Sequence, residues 1–338
     1  MPEPVSIILT GDVMLGRGVN SYLLRAGPAY AWGNTRPTLC AADLMIINLE
    51  CVIARGGRPW SRWPKVFHFQ ADPIAITSLQ LAGINCVTLA NNHVLDFEEE
   101  ALTEMLALLD NAKIKHTGAG PNLNEAEQPA LLEARGLKVA VVAFTDNEPG
   151  WAASANSAGT NYIQISVAEE SLKVVKESIV KSRTAGADVV IFSIHWGPNM
   201  ADRPSPLFQQ FAHAVMDAGA DVLHGHSAHI FQGIEIYRGK PIIYDAGDFV
   251  DDYSVDPVLR NDRGLIFRLL VEEKQVKQLE LFPVFISKCQ VNVAIGSHRK
   301  AIVERLSSLS AEMGTVINSS AERLWLDCTL LRGHAQTA

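Results

Sequence analysis

The chain has 338 residues, of which 48% are hydrophobic and 20% charged, and its net charge is −8. This composition is typical of a soluble globular protein, and the length allows one large domain or two ordinary ones. The acidic balance and the scattered Lys and Arg argue against a general nucleic-acid binder, which needs clustered cations. The apolar runs are too short for a leader or a membrane span, which predicts a cytoplasmic protein.

The first two predicted strands both end in polar side chains. The apolar run Val5–Leu9 is typical of a buried parallel strand, and Asp12 follows it. A second run over 42–50 ends in Asn48 and Glu50. These two residues are two positions apart, so an extended chain places them on the same face.

The third predicted strand, over 84–89, leads into Asn92 and His93. Asp96 follows closely, and we expect it to cap or orient the loop that carries His93. Before this strand, the loop over 54–70 contains several aromatic residues. A loop of this length is usually functional or mobile. Its aromatic residues either line a substrate cleft or pack the loop onto the body of the protein.

Histidines follow two later apolar runs. The run over 188–194 ends in His195, with Trp196 next to it as a candidate for substrate contact or core packing. The run over 220–223 leads into three further histidines, His224, His226 and His229. Three imidazoles within six positions seldom serve packing alone, and neutral imidazole is the commonest metal-ligating side chain.

Two predicted hairpins each precede a candidate acidic residue. Asp146 follows the hairpin over 130–144, and Asp248 follows the hairpin over 230–244. Turn chemistry explains Asp146 about as well as a place at the edge of a site does. Asp248 is a candidate to support the histidines. The later predicted elements are strands over 264–272 and 276–285, a helix near 298–313 and an apolar tail over 324–331.

Together these elements predict an α/β layered fold with mixed sheets. We expect a single domain over 1–338, with its core at about 5–285 and a C-terminal extension over 286–338 packed on it. Sites in open α/β sheets form at the carboxyl ends of strands, so the polar strand ends predict one shared site. Its carboxylates, amide and imidazoles suit Mn, Fe or Zn better than a structural zinc site, which prefers cysteine.

Several motifs, read in order, resemble a known family: Gly11-Asp12, Asn48-Leu-Glu50, Asn91-Asn92-His93, His195-Trp196-Gly197, His224-Gly-His226-Ser-Ala-His229 and Gly247-Asp248-Phe. They look like the CapA-type proteins of capsule and poly-γ-glutamate synthesis, which belong to the calcineurin-like metallophosphoesterase superfamily. The resemblance implies a four-layer α-β-β-α sandwich built on two mixed sheets.

The resemblance also implies roles for individual residues. The implied metal ligands are Asp12, Glu50, Asn92, His195, His226 and His229. The implied catalytic residues are Asp12, Glu50, His93, His226 and His229. Residues expected to support the ligands or to contact substrate are Asn48, Asp96, Asp146, Trp196, His224 and Asp248.

Three positions depart from the superfamily pattern. Met14 stands where a histidine is usual, Glu50 stands in place of a Gly-Asp motif, and His229 comes one position later than usual. Because each departure removes or displaces a ligand, the site holds one or two divalent metals, or none.

The lead hypothesis is a hydrolase or transferase that acts on a peptide, polyglutamate or phosphoester substrate through metal-activated water. One alternative is metal-independent acid/base chemistry on a peptide, such as epimerisation at Cα, with a carboxylate as base and a histidine as acid. The other is a non-catalytic partner in polymer assembly. The sequence leaves the substrate and the oligomeric state open.

Overall fold

The computed structural model describes residues 3–320 and 323–328. The predicted apolar tail over 324–331 is therefore described only as far as Cys328, and its last three positions lie outside the described residues. Within the described residues, two large mixed sheets hold most of the strands.

The first sheet is built around the N-terminal strand. Its main path runs through β19 (Asn318–Ser319), β20 (Leu324–Asp327), β17 (Gln275–Ser287), β16 (Arg263–Glu272), β1 (Val5–Val13), β2 (Leu44–Leu49), β5 (Cys86–Thr88) and β6 (Lys115–Thr117). Two further strands join it, with β15 (Asp248–Val250) paired to β1 and β18 (Gln290–Val293) paired to β17. The neighbours β1, β2, β5 and β6 are parallel, so their carboxyl ends meet at one edge.

The second sheet contains the histidine-bearing strands. Its order is β13 (Ile234–Tyr237), β14 (Lys240–Ile243), β12 (Val222–His226), β11 (Val189–His195), β9 (Leu137–Thr145) and β8 (Ala130–Ala134). Both predicted hairpins lie at its edges, and the central strands are parallel. Two short ribbons lie outside the sheets, β3 (Val52–Ile53) with β4 (Gln70–Ala71) and β7 (Ala119–Gly120) with β10 (Gly159–Thr160).

The helices follow the apolar periodicity of the sequence. The α-helices are α1 (Arg17–Ala26), α2 (Arg36–Cys40), α3 (Ile74–Leu81), α4 (Glu98–Asn111), α5 (Leu123–Ala126), α6 (Glu169–Thr184), α7 (Pro206–Asp217) and α8 (Gly296–Ala311), and 3₁₀ turns cover Tyr30–Thr35 and Pro149–Trp151. The start of α7 follows directly from its sequence. Ser205 accepts a hydrogen bond from the Phe208 amide, and Pro206 occupies the first turn.

Side chains of β1 face the two sides of the first sheet alternately and pack against a different layer on each side. Ile7 and Leu9 pack against Val141 and Ile191 of the second sheet, so the two sheets share one apolar interface. Ile8 points the other way, into the core beneath α1, α3 and α4. On the far side, α6 and α7 cover the outer face of the second sheet. The expected four-layer sandwich of two mixed sheets is confirmed.

Among the residues that the structure describes, those after 285 do not form a separate layer. Strand β20 pairs with β17 at the edge of the first sheet, and α8 packs against β13, β16 and β17. That the whole chain is one domain stays a prediction. Among the residues that the structure describes, no helix combines the length and the apolar character needed to cross a lipid bilayer.

Candidate metal centre

Strand register brings the predicted residues together. Asp12 at the end of β1 lies opposite Asn48 of β2 on one side and Asp248 of β15 on the other. In the second sheet, His195 lies opposite His226. The carboxyl ends of both sheets therefore meet at one edge of the sandwich, as expected for a site in an α/β fold.

Two groups of side chains in the described residues could each hold a metal ion. Asp12, His195 and His226 form one group, and Asp12, Glu50, His229 and Asp248 form the other. Within each group, one ligand atom from every residue lies within 4.8 Å of the others. Asp12 belongs to both groups and could therefore be a ligand in each.

The distances define the centre of the cluster. Asp12 Oδ1 accepts a hydrogen bond from Asn48 Nδ2 at 2.7 Å and lies 3.4 Å from His226 Nδ1. His195 Nδ1 lies 3.0 Å from His226 Nδ1, and His195 Nε2 lies 3.8 Å from Glu50 Oε1. His229 Nδ1 lies 2.9 Å from Asp248 Oδ1.

Unpartnered oxygens show that the residues fit a divalent cation. Among the predicted ligands and Asp248, one buried oxygen of each of four residues has no hydrogen-bond partner: Asp12 Oδ2, Glu50 Oε1, Asp248 Oδ2 and Asn92 Oδ1. Leaving a buried acceptor unsatisfied costs free energy, more so for a charged group. Hard oxygen donors beside neutral imidazoles are ligands that Mn, Fe or Zn accept.

Burial shifts the pKa values of the cluster towards neutral forms. It raises the pKa of Asp12, Glu50 and Asp248 well above the usual range, and neighbouring carboxylates raise them further. It lowers the pKa of His195 and His226 well below the usual range. A cation would offset the cost of the buried carboxylates, while the neutral imidazoles already have a free lone pair.

Two glycines allow the close approach of the elements that carry the ligands. A Cβ on Gly11 would lie 1.8 Å from the Gly247 carbonyl oxygen, and one on Gly225 would lie 2.1 Å from the Tyr244 carbonyl oxygen. Any larger residue at either position would push apart the strands that hold Asp12 and His226.

The loop that carries His229 has a strained backbone. Ser227 and His229 adopt φ values of 119° and 61°, which non-glycine residues rarely do. Asp245 supports the loop, since its carboxylate accepts hydrogen bonds from the Ala228 and Gly247 amides at 2.8 Å each. Burial raises the pKa of Asp245 to about 7. The strain aims the His229 ring at Asp248, and strain of this kind clusters at functional sites.

His93 is oriented by its neighbours. Its Nδ1 lies 2.6 Å from Asp96 Oδ2, its amide donates to Asn91 Oδ1, and its ring stacks on Phe69 at 4.0 Å between centroids. Its Nε2 lies 3.9 Å from Glu50 Oε1. Burial lowers the pKa of His93 well below the usual range and raises that of Asp96 to about 7.

A cavity of about 750 Å³ opens above the cluster. His93, His229 and Asn92 lie on its floor, and Arg17 and Lys65 bring positive charge to its walls. The loop over 54–70 both lines the cavity and packs onto the body of the protein, and that the cavity binds substrate stays a prediction. Its Phe67 and Phe69 line the cavity, whereas Trp60 is buried against Trp63 and Trp151.

Some candidates lie away from the cluster. Asp146 accepts a hydrogen bond from the Gly197 amide at 3.1 Å, so it supports the turn after His195. Trp196 packs with Phe208 and Tyr244, on the helix side of the second sheet. His224 is buried below the cluster and contacts the Thr10 carbonyl. Met14, at the usual histidine position, is buried, and its sulfur accepts from the Gly16 amide.

Asp248, predicted only to support the histidines, is part of a candidate ligand group. The sequence does not predict that Tyr253 and Lys65 lie at the site. Tyr253 Oη donates to Glu50 Oε2 at 3.3 Å, and Lys65 Nζ donates to the Asn92 carbonyl at 2.7 Å. Lys65 and Tyr253 come from irregular segments that carry no periodic signal.

Comparison with known proteins identifies the family. The profile described as "Bacterial capsule synthesis protein PGA_cap" matches residues 6–253. "Probable polyglutamine synthesis accessory protein" of Mycobacterium tuberculosis (strain H37Rv) is 30% identical, and the alignment covers 96% of each chain. "Capsule biosynthesis protein CapA" of Bacillus anthracis is 28% identical over 74% of this chain and 60% of its own.

Similarity to solved structures is weaker. The protein TT1561 of Thermus thermophilus has a TM-score of 0.40 and 14% identity, with 82% of this chain and 98% of that chain covered. The sulfate thiohydrolase SoxB of the same genus has a TM-score of 0.37 and 12% identity, covering 71% of this chain and 39% of its own. Neither contributes to the assignment, which depends on the sequence matches. The resemblance to CapA-type proteins is confirmed, and this chain belongs to the bacterial capsule synthesis protein family PGA_cap.

Proposed function

We propose that this chain is a metal-dependent hydrolase or transferase that acts on an anionic, polyglutamate-like chain during polymer synthesis. The observation that carries the proposal is the pair of ligand groups that share Asp12 beneath the cavity. Two groups with one shared carboxylate suit two divalent ions, and we propose Mn, Fe or Zn. The relatives' names refer to capsule biosynthesis and polyglutamine synthesis, and they support the proposed role in polymer synthesis.

The ligands divide between two metal positions. Asp12, His195 and His226 would hold one ion, and Asp12, Glu50, His229 and Asp248 the other. We propose that Asn92, whose Oδ1 lacks a partner, adds an amide oxygen. A divalent metal bound there supplies Lewis acidity and makes water nucleophilic near neutral pH.

His93 is the residue placed to move a proton. Asp96 accepts from His93 Nδ1, which leaves Nε2 as the free ring nitrogen at the floor of the cavity. In the neutral ring Nε2 takes a proton, and in the charged ring it gives one to a leaving group. The stacked Phe69 ring restricts the rotation of the imidazole. Asp96 therefore acts through His93, as a positioning residue.

Two cations and the metal charge favour an anionic substrate. The Arg17 guanidinium lies 5.3 Å from the centre of the Phe69 ring and pairs with Asp252 at 3.1 Å. Its side chain is still 38% exposed, so it can reach an incoming carboxylate. Lys65, which is nearly buried, lies 3.5 Å from both Asp96 and Glu148. Several acidic side chains surround these cations and offset their charge. We therefore expect a polyanion to bind favourably in the cavity only when the metal is present.

The geometry does not favour epimerisation. An epimerase needs a base and an acid on opposite faces of the substrate carbon. Glu50 Oε1 lies only 3.9 Å from His93 Nε2 and 3.8 Å from His195 Nε2, which leaves no room for a Cα atom between them. We therefore keep hydrolysis or transfer as the proposed reaction, and the cytoplasmic location stays a prediction.

The decisive experiment measures metal content and activity together. Protein purified without chelator is analysed for bound metal, then stripped with EDTA and reloaded separately with Mn²⁺, Fe²⁺ or Zn²⁺. Each form is incubated with a γ-linked oligoglutamate, an α-linked oligoglutamate and a phosphodiester, and products are detected by mass spectrometry. We expect metal-dependent cleavage or transfer on the γ-linked chain.

A matched pair of histidine variants provides the control. His229→Ala removes a candidate ligand, whereas His213→Ala removes a histidine that pairs with Glu235 away from the cluster. We expect loss of metal and activity in the first variant only. Full activity of the metal-free protein would refute the mechanism. Turnover of the phosphodiester alone would move the substrate assignment to phosphoesters, and an inert metal-loaded protein would favour the non-catalytic partner.

A further inference from the structure

We infer that the Thr10 carbonyl, the His224 ring and the Ser193 hydroxyl select which ring nitrogen of His226 is free to bind a metal. In this view His224 and Ser193 are positioning residues, although neither belongs to a ligand group. The inference rests on the proposed function in one respect only, that His226 is a metal ligand.

These four groups form one continuous chain of contacts. His224 Nε2 lies 2.8 Å from the Thr10 carbonyl oxygen, and His224 Nδ1 lies 3.5 Å from Ser193 Oγ. Ser193 Oγ lies 2.9 Å from His226 Nε2. All four residues are almost completely buried, so water does not compete for these contacts.

The carbonyl at one end fixes the direction of every hydrogen bond. A carbonyl only accepts, so His224 Nε2 must carry the proton that it donates to Thr10. A buried imidazole between a carbonyl and a hydroxyl is neutral, so His224 Nδ1 is a bare acceptor. Ser193 then donates its hydroxyl proton to His224, and its oxygen is left to accept from His226 Nε2–H.

The consequence lies at the other end of the chain. A neutral His226 that carries its proton on Nε2 has a bare Nδ1. That nitrogen lies 3.4 Å from Asp12 Oδ1 and 3.0 Å from His195 Nδ1, in the first ligand group. The opposite tautomer would place the Nδ1 proton towards the metal position. Ser193 would then have to donate its only hydroxyl proton to His226 Nε2, which would leave the buried His224 Nδ1 without a donor. A main-chain carbonyl thus prepares a ligand for metal through two side chains.

The tautomer can be read directly in metal-free protein. The full-length chain is labelled with ¹⁵N-histidine, stripped with EDTA, and examined by long-range ¹H–¹⁵N NMR, in which protonated and bare ring nitrogens are well separated. The spectrum of His226→Gln identifies the His226 signals. We expect protonated Nε2 and bare Nδ1 in the wild-type protein. A proton on Nδ1 would overturn the inference.

Two matched pairs of variants test the chain of bonds. Ser193→Thr keeps the hydroxyl and Ser193→Val removes it at nearly the same volume. His224→Gln keeps a donor and an acceptor, and His224→Met removes both at similar length. We expect the Val and Met variants to lose the single tautomer and about 10- to 100-fold in Zn²⁺ affinity, measured by competition with a chelating dye. The Thr and Gln variants should retain both properties.

The outcomes separate this inference from the proposed function. Equal Zn²⁺ affinity and the same tautomer in Ser193→Val and Ser193→Thr would refute the positioning role. A wild-type protein that shows the expected tautomer but binds no metal would refute the metal-dependent function, and the hydrogen-bonded chain would still hold. If the variants fail to fold, the wild-type spectrum alone still decides.

Discussion

Asp12→Asn should make the metal-free protein more stable. The Asp12 carboxylate is buried, and its Oδ2 is among the oxygens that lack a partner. An asparagine could still accept from Asn48 Nδ2 at the Oδ1 position, which lies 3.4 Å from His226 Nδ1. Its own amide would replace Oδ2, 4.0 Å from His229 Nδ1. Removing an unsatisfied buried acceptor gains about 1–3 kcal/mol.

The expected size of the thermal shift follows from the chain length. Unfolding entropy of about 2.1 cal/mol/K per residue gives about 0.7 kcal/mol/K for 338 residues. A gain of about 1–3 kcal/mol therefore raises the Tm by about 1.5–4 °C. In the wild type, Zn²⁺ at about 100 times its Kd stabilises by about 2.7 kcal/mol, or about 4 °C. Asp12→Asn should lose most of that metal-dependent shift.

The pH dependence of stability independently tests whether Asp12→Asn stabilises the metal-free protein. Burial raises the pKa of Asp12 in the folded state, so the folded protein holds this proton more tightly than the unfolded chain. The stability that the protonated group contributes is lost as the pH rises through the folded pKa. The advantage of Asp12→Asn in metal-free protein should therefore be small near pH 5 and larger near pH 9.

The assay is differential scanning calorimetry with EDTA or with Zn²⁺ at several pH values. Asp221→Asn is the matched control, because Asp221 is paired with Arg183 and Lys240 away from the cluster. That variant should lower the Tm and leave the Zn²⁺ shift intact. A metal-free Asp12→Asn protein that is less stable than wild type at pH 9 would refute the reasoning, as would an unchanged Zn²⁺ shift.

Three further predictions concern single side chains. Glu50→Gln should weaken Zn²⁺ binding by more than about 100-fold in competition titrations, since losing a ligand costs more than losing a supporting group. Asp96→Asn should lower kcat by roughly 10²–10⁴ with little change in bound metal, because His93 loses its fixed tautomer. A loss of bound metal as large as the loss of kcat would contradict this prediction. Arg17→Met should raise KM for an oligoglutamate about 10- to 100-fold, whereas Arg25→Met, in the same helix, should not.

Apolar runs and turn residues predict most of the fold. Val5–Leu9 is apolar except for Ser6 because both faces of β1 are covered, by the second sheet on one side and by helices on the other. Polar residues after such runs are therefore expected at the sheet edge, and the structure places Asp12 and His195 there. The edge is predictable because the chain direction of parallel strands determines it.

The residues that the sequence does not predict, and the place of Asp248 in a ligand group, depend on tertiary pairing. Asp248 approaches Asp12 because the three-residue strand β15 pairs with β1, and so short a strand has no periodic signal. Arg17 and Lys65 reach the cavity from a helix start and a loop. The sequence does indicate the position of Trp196. Trp196 follows His195 directly, and adjacent residues of a strand point to opposite faces, which places the indole on the helix side.

The candidate ligands come from both sheets, with Asp12 and Glu50 from the first and His195 and His226 from the second. The site cannot be completed by local folding, because Asp12 and Asp248 lie near opposite ends of the family-matched segment. During synthesis the site can form only after both sheets have docked. Metal binding would therefore indicate that both sheets of the sandwich have folded and docked. Amide hydrogen exchange across the sheet interface should slow when metal is added.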